Sequence, residues 1–371
     1  VSDNSGIYQV TKTINNTSTL KHGTYIVGYK VTDEAGNTTN ITRNLKVQMA
    51  TDTSGASTPN ISSGMIPVVY DYGKEAFVKA DTSNWYNYNN KEWANIVLVS
   101  DTVRDKYNSA LEGTQILETD VLAYYVWIPR YKYQIFYDGV NDTTKQLINI
   151  TFESKDTTKS NGTTKDNWLT HPAFTFGDEE LDGIWVGKFE LTGDTTTPTI
   201  KPNVTSLRNL NVSSLFNVSK KINYGTIRDT SIIKNSEWGA VAYLGQSQYG
   251  LNTTNIIINN VNVNDNINYV YAMTGYAAKN EEEGNKGSTT KENAFIWNQL
   301  DGTTASCTGT IYGIYDMSGG TWERSAAIVN NGNDSGNLNT YGKAIMNALN
   351  NGKSSEYVTV YPTGESKGQS L

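Results

Sequence analysis

Few side chains in this chain could carry out nucleophilic or metal chemistry. The sequence of 371 residues contains two histidines, His22 and His171, and one cysteine, Cys307. No Ser/His/Asp set can be assembled from them, and a structural zinc site needs about four Cys or His ligands. The neighbours of Cys307 are small and polar, so we interpret it as an incidental thiol and not as a nucleophile. We therefore predict no catalytic residue, and we expect that the protein is not an enzyme.

One loop, 177–183, concentrates carboxylates. Asp178, Glu180 and Asp182 lie within it. Hard cations favour several carboxylate ligands, so calcium is an alternative at this loop. The spacing is not that of an EF-hand loop, which favours a solvated loop without a metal or any other cofactor.

The stretch 309–324 is the sequence feature around which we expect the chain to be organised. Apolar and aromatic residues surround Gly313, and Gly319 and Gly320 follow them. Adjacent glycines permit positive φ and a close approach of the backbone. Trp322 comes directly after the bend. We predict a strand that runs into a tight turn and places Trp322 in the core.

The same stretch carries the carboxylates Asp316 and Glu323. They could form an acid/base pair. A carboxylate beside a bulky ring must, however, reach water or find a hydrogen-bond donor. We therefore assign both residues to turn-capping and strut roles in the structural turn.

Aromatic rings lie among asparagines in residues 84–93. Three of the rings, Trp85, Tyr86 and Tyr88, lie within four consecutive positions, and Trp93 follows five residues later. Burying the four neighbouring amides would require a hydrogen-bond partner for each, at about 1–3 kcal/mol per failure. We expect this stretch at the surface, with Tyr86 and Tyr88 contacting a glycan or a neighbouring subunit. Trp85 is a weaker ligand-binding candidate, and Trp85 and Trp93 are more structural.

Composition narrows the class of partner. The net charge is −7, which argues against a nucleic-acid partner that needs a basic face. No run of about 18 apolar residues is present, so we expect no membrane span. The chain begins at Val1 without Met or a signal peptide, and we expect a processed or partial chain.

The N-terminal residues predict a β-hairpin. Tyr25, Val27, Tyr29 and Val31 alternate with other residues, and the segment 33–37 supplies turn residues. This pattern resembles the end of a bacterial Ig-like repeat, which implies a partial β-sandwich module.

The remaining chain divides into segments of different composition. We place a partial Ig-like module at 1–48, a flexible linker at 49–63 and a larger domain at 64–371, in which 65–116 is an N-terminal extension. Within that domain the patterns predict further elements. These are strands over 121–136 and 183–192, helices over 212–222, 236–250 and 341–349, an extended insertion over 255–270 and a solvated loop over 279–290.

Three segments resemble signatures of the formylglycine-generating-enzyme (sulfatase-modifying-factor) family. Residues 309–324 resemble the family's Gly-Leu-Tyr-Asp-Met-x-Gly-Asn-x-Trp-Glu-Trp motif, 126–129 resemble an opening Val-Trp-Ile-Pro strand, and 183–192 resemble a Gly-Lys-x-Glu strand. The resemblance implies an elaborated C-type-lectin-like, α+β fold. Gly320 stands where the family usually has Asn. The family's enzymes use a pair of active-site cysteines, whereas this chain has Cys307 alone.

The resemblance implies several possible roles, because this fold serves enzymes, phage receptor-binding proteins and the variable display proteins of diversity-generating retroelements. We expect a non-enzymatic, extracellular ligand-binding or adhesive protein of a bacterium or its prophage, located on a cell surface or virion. Its partner would be a glycan or protein on another cell. The alternative is a structural subunit of a surface fibre or phage tail that pairs with neighbouring subunits. A formylglycine-generating-type oxidase is a weaker alternative.

Overall fold

The structure is a computed structural model that describes residues 7–14, 18–135, 148–162, 168–224, 229–264, 269–285, 289–330, 336–351 and 354–362. Within these ranges the chain is a mixed α/β protein with short strands in mostly small sheets and with few helices. This agrees with the predicted α+β class. No helix in these ranges is long and apolar enough to cross a membrane.

The strands carry labels in chain order. They are β1 (Ile7–Lys12), β2 (Gly23–Asp33), β3 (Thr38–Val47), β4 (Ile66–Asp71), β5 (Ala76–Lys79), β6 (Asn95–Val99), β7 (Val121–Pro129), β8 (Tyr131–Ile135), β9 (Ile148–Phe152), β10 (Leu169–Thr170), β11 (Thr175–Phe176), β12 (Glu179–Glu180), β13 (Gly183–Gly187), β14 (Thr192–Gly193), β15 (Pro198–Thr199), β16 (Val261–Asn264), β17 (Tyr269–Tyr271), β18 (Tyr276–Ala278), β19 (Thr289–Thr290), β20 (Ala294–Ile296), β21 (Ala327–Asn330) and β22 (Thr359–Pro362). The helices are α1 (Asp101–Ser109), α2 (Val212–Ser219), α3 (Asn235–Gly245), α4 (Glu281–Asn285), α5 (Gly336–Tyr341), α6 (Lys343–Asn350) and α7 (Ser354–Tyr357).

The N-terminal sheet confirms the predicted hairpin. Its three strands are antiparallel in the order β1-β2-β3. Val27 and Val31 of β2 are buried while Ile26 and Lys30 are exposed, as strict alternation requires. This sheet contacts the rest of the chain through His22, whose Nε2 lies 2.5 Å from the Tyr312 hydroxyl.

Residues 49–63, which we call the strap, differ from the predicted flexible linker. Carbonyls of the strap accept hydrogen bonds from Asn84 (2.7 Å), Asn87 (3.0 Å), Trp127 (3.2 Å) and Trp185 (2.8 Å). Composition indicated flexibility because Ser, Thr and Gly dominate the strap, but those side chains do not prevent its backbone from accepting hydrogen bonds. The strap therefore lies fixed against the larger domain.

A five-stranded antiparallel sheet in the order β13-β7-β6-β4-β5 forms the centre of the larger domain. All five residues of β6 are buried. The predicted strand 121–136 divides at Pro129 into β7 and β8, since proline cannot donate to a ladder. Its last residue lies outside the described part of the chain.

The organising stretch 309–324 lies in the core but is not the predicted strand. Ile311, Tyr312 and Tyr315 are buried in a series of turns and bends. The fully buried Lys188 explains this difference. Its ammonium donates to the carbonyls of Ile311 (2.6 Å) and Gly313 (2.8 Å), so these carbonyls are satisfied without a β-ladder.

The end of this stretch confirms one prediction and contradicts another. Gly319 and Gly320 have φ values of 93° and 73°, as the predicted turn requires. Trp322 is 88% exposed, so the prediction that its ring fills the core is wrong. Gly319 packs directly on Asn259 and Gly320 on Glu190, and the reversed chain leaves the core before it reaches Trp322.

The other predicted elements are found with changed bounds. The predicted helices correspond to α2, α3 and α6. The segment 255–270 contains β16 and the start of β17, with 265–268 outside the described residues. The predicted loop 279–290 includes α4 and β19.

Candidate functional site

The aromatic patch predicted as the ligand surface is largely interior. Tyr88 is 0% exposed and Trp85 is 2% exposed, whereas Tyr86 is half-buried. The Tyr88 hydroxyl donates to the Trp127 carbonyl at 2.8 Å. The prediction that Tyr86 and Tyr88 share an exposed face is therefore wrong, and Trp85 is excluded as a surface contact. The physical reason is that Asn84 and Asn87 find partners in the strap, so burying them costs little.

The loop predicted as a weak calcium site does not gather its carboxylates. Glu180 binds Arg130 at 2.6 Å and Lys159 at 2.5 Å, and Asp182 accepts the Lys155 amide at 2.8 Å. Arg130 and Lys159 thus already neutralise Glu180 within the protein, and calcium binding at this loop stays a prediction. The described residues contain no group of three or more side chains placed to hold a metal.

Cys307 and His171, the cysteine and the histidine of the larger domain, are both interior. Burial raises the pKa of the Cys307 thiol to about 12, so it is not a thiolate at neutral pH. Burial among aromatic rings lowers the pKa of His171 to about 3, which keeps its imidazole neutral. Neither side chain is placed to act on a solvent-borne substrate.

A cleft of about 600 Å³ runs along β13 and is the candidate functional site. Its walls are β13, the segment 229–233 with the start of α3, and residues 321–324, of which 322–324 are exposed at the mouth. The apolar and aromatic part of the lining consists of Met65, Ile96, Leu98, Tyr125, Trp127, Phe176, Leu181, Ile184, Trp185, Val186, Phe189, Leu191, Ile200, Leu207, Leu215, Ile222, Ile232, Ile233, Trp238, Ile314, Tyr315, Met317 and Trp322. A predominantly apolar concavity with a few polar groups is typical of ligand sites.

The indole rings of the cleft differ in how many contacts hold them and in how far they are exposed to solvent. Trp127 and Trp185 pack together with ring centroids 5.2 Å apart, and Trp185 Nε1 donates to the strap. Trp238 Nε1 donates to Glu323 Oε2 at 2.5 Å. Trp322, by contrast, projects into solvent. The cleft therefore combines fixed rings along its wall with one open ring at its mouth.

Strand β13 also has backbone groups that are not paired with β7. It is an edge strand, and Trp185 is paired with Trp127, whose amide donates to Ala94 on the opposite side of β7. In an antiparallel ladder this makes Trp185 a non-hydrogen-bonded partner of β7. The peptide N–H and C=O of Trp185 therefore face away from β7.

Three glutamates line the cleft, and each has a raised pKa. Burial raises the pKa of Glu237, whose carboxylate accepts the Lys234 amide at 2.8 Å. Burial, with the nearby Asp316, raises the pKa of Glu190 well above its usual range. Glu323 is an exposed residue, and desolvation by the cleft, with the nearby Asp316, raises its pKa to about 7 against the opposing hydrogen bond from Trp238. Of these carboxyl groups, that of Glu323 is the one shown to be close to half-protonated at neutral pH.

Asp316 lies beneath the cleft and not in it. This fully buried residue has φ 64°, and its carboxylate accepts hydrogen bonds from Asn259 (2.6 Å), Thr274 (2.5 Å) and the Gly275 amide (3.0 Å). Burial raises the pKa of Asp316, and these donors oppose that shift because they favour the ionised form. The geometry agrees with the strut role and not with an acid/base pair, because Glu323 is instead bonded to Trp238.

Sequence reasoning identified Glu323 and Trp322 but gave them structural roles. It did not identify Trp185, Trp238 or Glu190 as site residues. The sequence signal that could have indicated the cleft was one tryptophan in each of three distant segments, namely Trp185, Trp238 and Trp322. Only the pairing of β13 with β7 and the position of α3 bring those segments together. Comparison of the sequence with protein-family models and with curated proteins gives no match.

Proposed function

We propose that this protein is a non-enzymatic, extracellular ligand-binding or adhesive protein of a bacterium or its prophage, and that its ligand binds in the cleft. One observation supports this most strongly: Trp322 is 88% exposed at the mouth of a cleft of about 600 Å³. An exposed large ring costs solvation free energy unless a partner covers it.

The chemistry of the cleft favours a glycan as the ligand class. Indole faces can stack on the C–H faces of sugar rings. Glu323 and the outward peptide group of Trp185 can exchange hydrogen bonds with hydroxyls. A protein partner on another cell is the competing class.

The C-type-lectin-like fold of the sulfatase-modifying-factor type belongs to this proposal. The segments that carry the resemblance contact one another. Trp127 and Trp185 are paired across β7 and β13, and Lys188 binds the turn of 309–324.

The experiment compares Trp322→Ala with Leu300→Ala on a glycan array and on a panel of cells. Leu300 is 81% exposed and lies outside the cleft lining, so it controls for loss of an exposed apolar side chain. We expect Trp322→Ala to weaken binding at least tenfold at an unchanged melting temperature, and Leu300→Ala to bind as the wild type does. Equal binding by both variants would exclude Trp322 from the site.

A structural subunit of a fibre is a second candidate, favoured by a separate observation. Strand β3 (Thr38–Val47) is an edge of the N-terminal sheet and is mostly exposed, and Ile26 and Ile41 are exposed on that sheet. Long exposed edges pair readily with other chains. Filaments of the wild type in electron micrographs that are lost in Ile41→Lys would support this candidate. A monomer at all concentrations in analytical ultracentrifugation would exclude it.

A further inference from the structure

A second concavity lies on the other side of α2 from the cleft. Leu215 and Ser219 of α2 line the cleft, whereas Ser213, Phe216 and Asn217 line this pocket, together with residues of α6 and Tyr357. Its volume is about 340 Å³, near the lower end of ligand sites and suited to a small ligand. We call it the α2–α6 pocket.

Aromatic rings hold one cation at this pocket. The ammonium of Lys220 lies 4.7 Å from the ring centroid of Phe216 and 4.1 Å from that of Tyr357. Both rings are buried, so the platform beneath the ammonium is fixed. Cation–π contacts stabilise such a charge without neutralising it. Lys220 is therefore positioned in advance while its positive charge is still available.

Lys343 supplies a second positive charge from the first turn of α6. In the described part of the chain neither Lys343 nor Lys220 forms an ion pair. The Ser213 hydroxyl accepts the Ala344 amide at 2.6 Å, which ties α2 to α6 and fixes the floor of the pocket.

Three asparagines complete the polar lining. Asn217, Asn347 and Asn351 are exposed, and their side-chain amides make no hydrogen bond to other described residues. Each amide offers two donors and an acceptor carbonyl. This set matches a ligand with several hydroxyl groups.

The charge of the pocket is opposite to that of the chain. Its described lining contains two lysines and no carboxylate, whereas the chain has a net charge of −7. Two carboxylates lie near Tyr357 but outside this lining: Asp229 accepts the Tyr357 hydroxyl at 2.7 Å, and Glu356 precedes Tyr357 in the chain and acts on it electrostatically. Anions are thus favoured at this pocket against the field of the whole protein.

We propose that the α2–α6 pocket binds an acidic saccharide. Its carboxylate would lie between Lys220 and Lys343, and its hydroxyls would exchange hydrogen bonds with the three asparagine amides. The site is distinct from the cleft and does not depend on the function proposed for it.

The test uses two sugars that differ in one group, methyl glucuronate and methyl glucoside, with binding measured by saturation-transfer NMR and calorimetry. We expect glucuronate to bind at least tenfold more tightly than the glucoside. Added salt should weaken binding of glucuronate. Lys343→Gln and Lys220→Gln/Lys343→Gln should lose that binding tenfold or more.

Two controls locate the site. Lys291→Gln removes the same charge from an exposed position outside both concavities, and Trp322→Ala alters only the cleft. Both should bind glucuronate as the wild type does. Because Lys343 contacts no other described side chain by hydrogen bond or ion pair, Lys343→Gln tests the proposal even if the double variant folds poorly. Equal binding of the two sugars, unchanged binding by Lys343→Gln, or loss in Trp322→Ala would each overturn the proposal.

Discussion

Two segments, residues 84–93 and residues 316–323, have the opposite burial to that which their sequences indicate. The first segment is rich in asparagine and was expected at the surface, yet Tyr88 and Trp93 are wholly buried. The second begins among core residues, yet it ends with Trp322 exposed to solvent. Both segments carry aromatic rings next to polar or small residues, so residue type alone does not explain the difference.

The difference lies in where the backbone and the amides find partners. Asn84 and Asn87 donate to carbonyls of the strap, which removes the penalty for burying them and lets the adjacent rings pack. In the second segment, Gly319 and Gly320 reverse the chain against Asn259 and Glu190. Hydrogen-bond partners therefore explain why the first segment is buried, and backbone geometry explains why the second segment ends exposed to solvent.

The largest expected effect is on the free energy of unfolding, and it should differ between the two segments. Trp93→Ala removes a wholly buried ring whose Nε1 donates to the Tyr249 carbonyl at 2.9 Å, and it should cost about 3–5 kcal/mol of unfolding free energy. Trp322→Ala should change that free energy by less than about 0.5 kcal/mol. Urea unfolding measures both, and similar losses in the two variants would contradict the contrast.

The turn glycines provide the next test. Gly319 and Gly36 both have positive φ, but a Cβ on Gly319 would lie 2.0 Å from the Asn259 carbonyl oxygen, whereas one on Gly36 would meet nothing within 4 Å. Gly36→Ala should cost about 1–2 kcal/mol from conformation alone. Gly319→Ala should cost about 1–3 kcal/mol more because of overpacking. Equal costs by urea unfolding would show that Gly319 is not packed on Asn259.

Asn87 tests the partner argument in the first segment. Its amide donates to the Ala50 and Thr51 carbonyls, and its oxygen accepts the Asn90 amide. Asn87→Ala should cost about 1–3 kcal/mol, because it removes all three hydrogen bonds of a buried side chain. Asn89→Ala is the matched control: Asn89 is exposed and donates to the exposed-side Thr53 hydroxyl of the strap at 3.1 Å, so its loss should cost less than about 0.5 kcal/mol. A neutral Asn87→Ala would mean that the strap is not fixed by these bonds.

The smallest effect concerns pH at the end of the second segment. The pKa of Glu323 is about 7 in the folded protein, against 4.5 for an ordinary glutamate. Between these values the folded state binds more protons at Glu323 than the unfolded chain does, so stability falls as pH rises. Glu323→Gln should therefore lose less stability than the wild type between pH about 5 and about 7.

The charge of Glu323 contributes to the raised pKa of Glu190, so the difference between the two pH profiles reports Glu323 together with its effect on Glu190, whereas the causes of the raised pKa of Glu237 do not include Glu323. Parallel profiles by urea unfolding would show that the Glu323 carboxyl group is fully solvated.

Sequence patterns predicted the local elements more successfully than the contacts between them. Alternation in β2 and helical spacing in α2 depend on neighbours along the chain, and both were predictable. Pairing of the strap with Asn84 and Asn87 joins residues more than 30 positions apart, and no local pattern reports it. Lys188 is similar: its buried ammonium holds a turn more than 120 residues away.

The candidate site was predicted least well. Trp322 and Glu323 were recognised as notable residues, but their exposure follows from the packing of Gly319 against the Asn259 backbone and of Gly320 against the Glu190 side chain. Trp185 and Trp238 become neighbours of the same cleft only after β13 pairs with β7 and α3 packs beside it.

Hydroxyl-radical footprinting of the intact chain, read residue by residue by mass spectrometry, tests most directly whether the ligand binds at Trp322 and not at residues 84–93. The free protein is compared with the protein saturated with whichever glycan binds on the array. We expect strong oxidation of Trp322 in the free protein, protection of Trp322 by the glycan, and little oxidation of Trp85 or Trp93 in either state. Protection of Tyr86 with no change at Trp322 would contradict it and would return the binding site to residues 84–93.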